Sequence, residues 1–291
     1  MSTAHNFGAP RRKSTGLSKL FAATLLYMVS AVTSFAQGDL LISPLRIILE
    51  GSKKSQEISL ANVGKDTATY SVSIVDIRMK DDGSFETITT PDTGQRFAGP
   101  FMRFFPRKVT LAPNESQVVK IQLMKTSSME PGEYRSHLYF RAVPDEKPLG
   151  EKSTKDTAKI SIQLKPIFGI TTPVIIRVGE NDADVSMSDV SLTTGDNKKQ
   201  ILGVTFHRTG NMSVYGDLAI QYVSPEGKTT ILKSVKGIGV YTPNKLRRFR
   251  VELDDDKPFD QQKGTIRIVY TLQTNDKAPV VKEAELVLNK K

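Results

Sequence analysis

The stretch ISPLRIILEG at residues 42–51, followed by QEISLAN at residues 56–62, contains the pattern on which the fold prediction depends. Branched and apolar side chains dominate the first stretch, and in the second they alternate with polar ones. Alternation with a period of two is typical of a β-strand that buries one face. Gly51 lies between the stretches and suits the turn that joins them. The pattern therefore predicts two consecutive strands.

The first of these strands is expected to have two different faces, because neighbouring side chains of a strand point to opposite sides. We expect Leu45, Ile47 and Leu49 to face the core, and Arg46 and Ile48 to face the other way. Arg46 is open to two interpretations. It is either a solvated edge residue or an anchor for a carboxylate, which the planar guanidinium group binds through two parallel hydrogen bonds.

The rest of the chain repeats this strand pattern, with runs recurring about every 8–12 residues between turns rich in Gly, Pro, Asn and Asp. The first series of predicted strands is Leu40–Leu49, Gln56–Asn62, Ala68–Met79, Phe85–Thr89, Met102–Thr110, Gln117–Leu123, Glu133–Val143 and Ala158–Val178. The second series is Val185–Leu192, Ile201–Arg208, Tyr215–Val223, Thr229–Tyr241, Leu246–Leu253, Thr265–Leu272 and Val280–Leu288. No run has sustained helical periodicity. The predicted fold class is all-β, with two immunoglobulin-like β-sandwich domains in tandem.

The first 36 residues have the features of an export signal. Four basic residues precede the apolar run Leu20–Val32, and Ser34 and Ala36 supply the small residues of a cleavage site. At about 13 residues, the apolar run is shorter than a membrane-spanning helix needs, although an uncleaved anchor is the alternative. We therefore predict a signal peptide over residues 1–36, cleavage after Ala36, and export from the cytoplasm.

The predicted domain boundary lies in the segment VGEND at residues 178–182, which interrupts the apolar pattern. We therefore expect one sandwich over residues 37–178 and a second over residues 179–291. Each is the size of a single immunoglobulin-like domain or somewhat larger.

Composition excludes several classes of function. The chain has 41 basic and 31 acidic residues, and four of the basic residues lie in the predicted signal, which leaves a net charge of +6 on the remainder. This charge is not clustered as a nucleic-acid interface would require. There is no cysteine, and only three histidines are present. Without a phosphate-binding loop, a nucleophile elbow or a calcium loop, we expect no enzymatic activity, no metal and no cofactor.

The segment AKISIQLK at residues 158–165 alternates strictly, with Ile160, Ile162 and Leu164 on one face and Lys165 among the polar residues on the other. It follows the charged segment DEKPLGEKSTKDT at residues 145–157. A core strand is the simpler interpretation. The alternative is an edge strand that pairs with another chain, in which backbone hydrogen bonds supply affinity and alternate side chains fill pockets.

These segments resemble, in their order and spacing, the PapD-like periplasmic chaperones of pilus assembly. The resemblance is carried by LRIILEG at residues 45–51, LAPNES at 111–116, the strand end at 139–144, the alternating strand at 158–165 and TPV at 172–174. It covers about residues 38–178, and the remainder resembles the second sandwich in size and strand pattern only. It implies a chaperone that caps pilin-like subunits by donating a strand, with an outer-membrane usher as a further candidate partner.

The resemblance also implies roles for individual residues. Arg46 matches the arginine that anchors the C-terminal carboxylate of the subunit. Ile160, Ile162 and Leu164 match the residues donated to the subunit, and Glu133 matches an acidic residue of an ionic cluster between the domains.

Two positions depart from the pattern of the family. Phe168 stands where the family has its second cleft cation, a lysine, and Thr172 replaces an arginine. Lys165 is the candidate substitute for the lysine, although it is about three residues out of register.

A second class of function remains open beside the chaperone. A secreted sandwich protein with a structural or adhesive role in the cell envelope could have the same fold, since fold alone does not specify function. The two classes differ in whether the strand Ile160–Leu164 is free to pair with a partner.

Overall fold

In the computed structural model, the regular secondary structure of the described residues is almost entirely β-strand. The structure describes residues 40–124, 126–144, 167–196, 198–254, 257–274 and 279–289. Within these ranges, the only helical segments are single 3₁₀ turns at Gly99–Phe101 and Thr126–Ser128.

The strands fall into two groups along the chain. Those of the first sandwich are β1 (Leu40–Ser43), β2 (Ile47–Glu50), β3 (Ser55–Asn62), β4 (Ala68–Met79), β5 (Phe85–Ile88), β6 (Met102–Phe105), β7 (Lys108–Leu111), β8 (Ser116–Leu123), β9 (Gly132–Val143) and β10 (Gly169–Val178). Those of the second are β11 (Asp184–Thr194), β12 (Gln200–Thr209), β13 (Val214–Val223), β14 (Thr229–Val240), β15 (Leu246–Glu252), β16 (Thr265–Leu272) and β17 (Val280–Val287).

Two sheets face each other in the first sandwich. One has the strand order β1-β3-β8-β6, and the other has the order β2-β10-β9-β4-β5, with β7 also paired to β4. Alternate residues of each sheet fill the space between them, and Ile47, Leu49, Leu60 and Leu138 are completely buried there. The period-two pattern places them there, because it gives each strand one apolar face.

The second sandwich has its own pair of sheets and its own core. The sheets have the orders β11-β12-β15 and β14-β13-β16-β17. Phe206 and Tyr270 pack edge to face at the centre of this core, with their ring centroids 5.0 Å apart. The two cores confirm the prediction of an all-β protein with two β-sandwiches, and each of the seven strands predicted after residue 184 is present.

Two predicted strands of the first series are each divided by a proline. The run predicted over 40–49 is two strands in different sheets: β1 pairs with β3, and β2 pairs in parallel with β10. The division falls at Pro44, and Pro106 separates β6 from β7 in the same way. Proline has no backbone N–H for a ladder, so it suits the point where a chain leaves one sheet for another.

The division at Pro44 also changes the predicted faces of the first strand. Ile47 and Leu49 are completely buried, as expected. The prediction for Leu45 is wrong: this side chain lies in the crossing between the two sheets and is 75% exposed.

Strand β9 is buried on both of its faces over most of its length. Tyr134, Leu138 and Phe140 point into the core of the first sandwich. On the opposite face, Glu133 and Arg135 are also buried, and they contact residues of the second sandwich. This second face of β9 positions the candidate site.

A hairpin at residues 79–85, between β4 and β5, also contacts the second sandwich. The side-chain amide of Asn244 donates to the carbonyl of Met79 over 2.7 Å, and the backbone N–H of Arg248 donates to the carbonyl of Asp81 over 2.6 Å. The rings of Phe85 and Tyr241 stack with their centroids 6.1 Å apart. We call residues 79–85 the clasp hairpin.

Candidate functional site

The candidate site lies on the face of β2, β10 and β9 that points away from the first core. These three strands are neighbours, and their register aligns their side chains in rows across the sheet. In one row, Arg177 of β10 lies opposite Glu50 of β2 on one side and opposite Glu133 of β9 on the other. In the next row, Ile175 lies between Ile48 and Arg135. Residues paired across strands project to the same face, so charged groups from three strands converge.

Glu133 is the centre of a buried ionic cluster. Its Oε1 atom accepts hydrogen bonds from Arg135 Nη2 over 2.8 Å and from Ser213 Oγ over 2.5 Å. Its Oε2 atom accepts from the backbone N–H of Ser213 over 3.1 Å and from Arg177 Nε over 3.4 Å. Arg177 also lies 3.7 Å from a carboxylate oxygen of Glu50. The structure thus places Glu133 where first-sandwich arginines meet Ser213 of the second sandwich.

The surroundings of Glu133 keep it ionised. Burial by itself would raise the pKa of this carboxyl group. The charge of Arg135, the hydrogen bonds from Ser213 and the charge of Arg177 outweigh that effect and lower the pKa to about 2. A carboxylate that accepts several hydrogen bonds from cations is strongly favoured over its acid form.

Arg46 is not a solvated edge residue. Its guanidinium carbon lies 3.8 Å from the ring centroid of Tyr215 and 6.0 Å from that of Tyr241, both in the second sandwich. Atoms Nε and Nη1 are buried, and no hydrogen-bond partner is found for them among the described residues. Burial and the nearby charge of Arg135 lower the pKa of Arg46. The side chain is therefore a largely desolvated cation, and no carboxylate among the described residues forms an ion pair with it.

Arg135 lies deeper in the same place. Its guanidinium carbon is 3.8 Å from the ring centroid of Tyr241, and only 5% of the side chain is exposed. Nη2 bonds Glu133 and Ser213, whereas Nε and Nη1 have no partner among the described residues. Stacking on an aromatic face stabilises a guanidinium group and leaves the N–H donors in its plane unused.

The other residues predicted for the site divide into two groups. Ile160, Ile162, Leu164 and Lys165, and the predicted cleavage position Ala36, lie outside the described residues. The two departures from the family pattern are described. Phe168 is 50% exposed at the start of β10, whereas Thr172 is buried and pairs with Leu138 on the core face of β9. Neither of them supplies a cation to the site.

Sequence reasoning missed five residues of this site: Arg135, Arg177, Ser213, Tyr215 and Tyr241. The signal available for Arg135 was its spacing of two from Glu133, which puts both on one face of a strand. The residues of the second sandwich had no signal, because Ser213 meets Glu133 across 80 positions of sequence.

The described residues show neither a metal site nor a membrane helix. No group of three or more His, Cys, Asp or Glu side chains among them is arranged to hold a metal ion. In the same part of the chain, no helix is long and apolar enough to cross a membrane.

The fold and the site define a class of protein: two β-sandwiches joined through a buried ionic cluster, with arginines stacked on tyrosines at the junction. The chain matches no family model and no curated protein sequence. It does match solved structures of pilus and fimbrial chaperones.

One of these structures is the YadV chaperone, with 14% identity and a TM-score of 0.44, covering 85% of this chain and 100% of that chain. A second is the CsuC–CsuE chaperone–tip subunit complex of Acinetobacter baumannii, with 10% identity, a TM-score of 0.46, and coverage of 84% and 97%. A third is the SafB chaperone of Salmonella enterica with the SafA pilin, with 12% identity, a TM-score of 0.41, and coverage of 87% and 97%. Similarity of this degree describes the fold and is not evidence of a shared activity.

Proposed function

We propose that this protein is a periplasmic chaperone that caps pilin-like subunits by lending them a β-strand and delivers them for assembly, with an outer-membrane usher as the receiving partner. The donated residues are Ile160, Ile162 and Leu164, and Arg46 anchors the C-terminal carboxylate of the subunit. The proposal includes cleavage of the signal after Ala36 and two domains that meet near residue 178. The protein is proposed to bind and release its client without catalysing a reaction.

The observation that carries this proposal is the state of Arg46. Buried N–H donors without partners, such as Nε and Nη1 of Arg46, are costly, because they have lost water without gaining hydrogen bonds in return. Binding of a carboxylate would supply both the missing charge and the missing acceptors. The sequence resemblance supports the same assignment, since Arg46 matches the arginine with that role in the pilus chaperones.

The position of Arg46 also suits a chain end that arrives along a strand. Arg46 immediately precedes β2, and β2 and β10 are parallel neighbours in one sheet. The segment at residues 158–165 precedes β10 in sequence. We propose that a subunit strand pairs with that segment, so that its chain end approaches the sheet whose strand β2 follows Arg46.

The first test concerns the strand. The full chain is co-expressed with a candidate pilin-like subunit, and the complex is purified through the subunit. We expect Ile162→Asp to abolish co-purification, because a charge cannot enter an apolar groove. The matched control is Ser161→Asp, which adds the same charge on the opposite face of the alternation and should retain the complex.

Circular dichroism and urea unfolding of the free variants show which interpretation holds. Folded Ile162→Asp protein that no longer binds supports strand donation. If Ile162→Asp unfolds the chain, residues 158–165 form a core strand and the secreted structural or adhesive protein becomes the better interpretation. In the same experiment, Arg46→Ala should weaken the complex about tenfold or more, in line with the loss of a charge-assisted contact.

A further inference from the structure

We infer that the carboxylate bound at this site lies between Arg46 and Arg135, so that Arg135 on β9 is the second cation that holds it. This inference rests on the proposed function and adds a binding residue to it. It also explains how the site could hold a carboxylate with Phe168, rather than a lysine, at the position of the second cleft cation in the family that the sequence resembles.

The two guanidinium groups lie beside the same tyrosine ring. The ring of Tyr241 has Arg135 3.8 Å from its centroid and Arg46 6.0 Å from it, so the two guanidinium carbons are less than about 10 Å apart. Each group has an unpartnered Nε and Nη1 among the described residues. Arg46 is partly exposed and Arg135 is not, so a ligand would enter beside Arg46 and reach Arg135 behind it.

The positive charges on this face of the sheet outnumber the negative ones, and the excess lies near Arg46. Arg46, Arg135 and Arg177 share the face with two carboxylates, those of Glu50 and Glu133. Both carboxylates lie in the row of Arg177, at the end of the site that is farther from Arg46. The surplus positive charge is therefore at the Arg46 end of this face, where an anion would relieve the repulsion between Arg46 and Arg135.

Lys165 lies outside the described residues, and the other candidates for the second cation among the described residues do not fit. Phe168 carries no charge, and Thr172 points towards the core of the first sandwich. His137 lies on the same face of β9 as Arg135, but burial and the charge of Arg135 lower its pKa to about 3. The imidazole is therefore neutral at the pH of any cell compartment. Arg135 is the cation that remains among the described residues of this face near Arg46.

The second sandwich holds Arg135 in place before any ligand arrives. Ser213 Oγ accepts from Arg135 Nη2 over 3.2 Å and from the backbone N–H of Thr242 over 3.0 Å, and Tyr241 covers the guanidinium face. A donor that is already fixed loses little entropy on binding. The two-arginine site is thus complete only while the sandwiches are docked, which limits anchoring to the folded chaperone.

The test uses the minimal analogue of a chain end. N-acetylglycine is titrated into the full chain while the side-chain Nε–H resonances of Arg46 and Arg135 are followed by ¹⁵N NMR. N-acetylglycinamide, which has no carboxylate, is the ligand control. We expect the acid to shift both resonances with one common dissociation constant and the amide to shift neither.

Variants show whether Arg135 contributes to binding. Arg135→Lys keeps the charge but loses the planar donor pair, and it should weaken N-acetylglycine binding at least fivefold. Arg267→Lys, on an exposed pair with Glu285 in the second sandwich, should stay within twofold of the parent chain. The titration of the parent chain decides the question even if Arg135→Lys does not fold.

The possible results separate this inference from the proposed function. A shift at Arg46 alone, or at neither arginine, overturns the shared site. The proposed function is judged independently by the co-purification of Ile162→Asp. Loss of the shared site with intact strand donation would leave a chaperone that anchors its client by another group.

Discussion

The two faces of strand β9 both carry buried side chains, but different interactions stabilise them. One face inserts Tyr134, Leu138 and Phe140 into an apolar core, where the hydrophobic effect stabilises them without regard to direction. The other face buries Glu133 and Arg135, which must satisfy charge and hydrogen bonds with a few specific atoms. The core face is thus tolerant of substitution by similar apolar groups, and the polar face depends on a matched set of partners.

This difference is the reason we propose the polar face, rather than the core face, as the ligand site. An apolar core is complete when its volume is filled. A charged cluster is complete only when each cation has an acceptor, and Arg46 and Arg135 have donors to spare among the described residues. The unfinished part of the cluster is therefore the part available to a partner.

The largest effect should come from removing the carboxylate at the centre of the cluster. Glu133→Ala leaves Arg135 and Arg177 buried without their shared partner and should cost about 3–5 kcal/mol of the free energy of unfolding. Leu138→Ala on the opposite face should cost about 2–5 kcal/mol through the cavity it creates. Urea unfolding measures both. The loss in Glu133→Ala should persist in high salt, because a buried pair is little screened. A loss below about 1 kcal/mol would mean that the polar face behaves like an exposed surface.

The sequence predicted strand β9 but not what its two faces contact. Period-two alternation predicted the fold class and a strand over Glu133–Val143, because burial of apolar groups depends on local pattern. The same pattern cannot tell a solvated polar face from a buried one. Glu133 was assigned through the family resemblance, and its partner Ser213 lies 80 positions away in sequence. The strand break at Pro44, which exposes Leu45, could have been predicted from the missing N–H of proline.

The two faces should also respond differently to acid. On the polar face, the pKa of His137 falls to about 3 from an ordinary value of 6.5, and that of Glu133 falls to about 2 from 4.5. As the pH falls, each group is therefore protonated at a higher pH in the unfolded state than in the folded state. The stability from His137 is present above pH 6.5 and is lost as the pH falls towards 3, and that from Glu133 is lost between 4.5 and 2. One such proton changes stability by up to about 1.4 kcal/mol per pH unit.

Substitution of His137 tests this dependence. Because His137→Gln removes the titrating group, its free energy of unfolding should vary less between pH 6.5 and 4.5 than that of the parent chain. Leu138→Ala is the control from the core face, and it should lower stability by the same amount at each pH. Urea unfolding at pH 4.5, 5.5, 6.5 and 7.5 provides the comparison. Equal slopes for the parent and His137→Gln would show that His137 is not the group that senses acid.

The smallest expected effect concerns the clasp hairpin, which joins the sandwiches beside the polar face. Gly83 has a φ of +84°, and a Cβ atom added there would lie 2.5 Å from the guanidinium of Arg247, which donates to the carbonyl of Gly239. Gly227 has nearly the same φ, +85°, with nothing within 4 Å of the added Cβ. Both alanine variants should lose about 1 kcal/mol of stability through backbone strain at positive φ. Gly83→Ala should lose roughly 1 kcal/mol more than Gly227→Ala, because the new Cβ atom displaces the side chain of Arg247 from its hydrogen bond. Equal losses in thermal or urea unfolding would mean that Arg247 moves aside freely, and the docking of the sandwiches would then depend on the Glu133 cluster rather than on the hairpin.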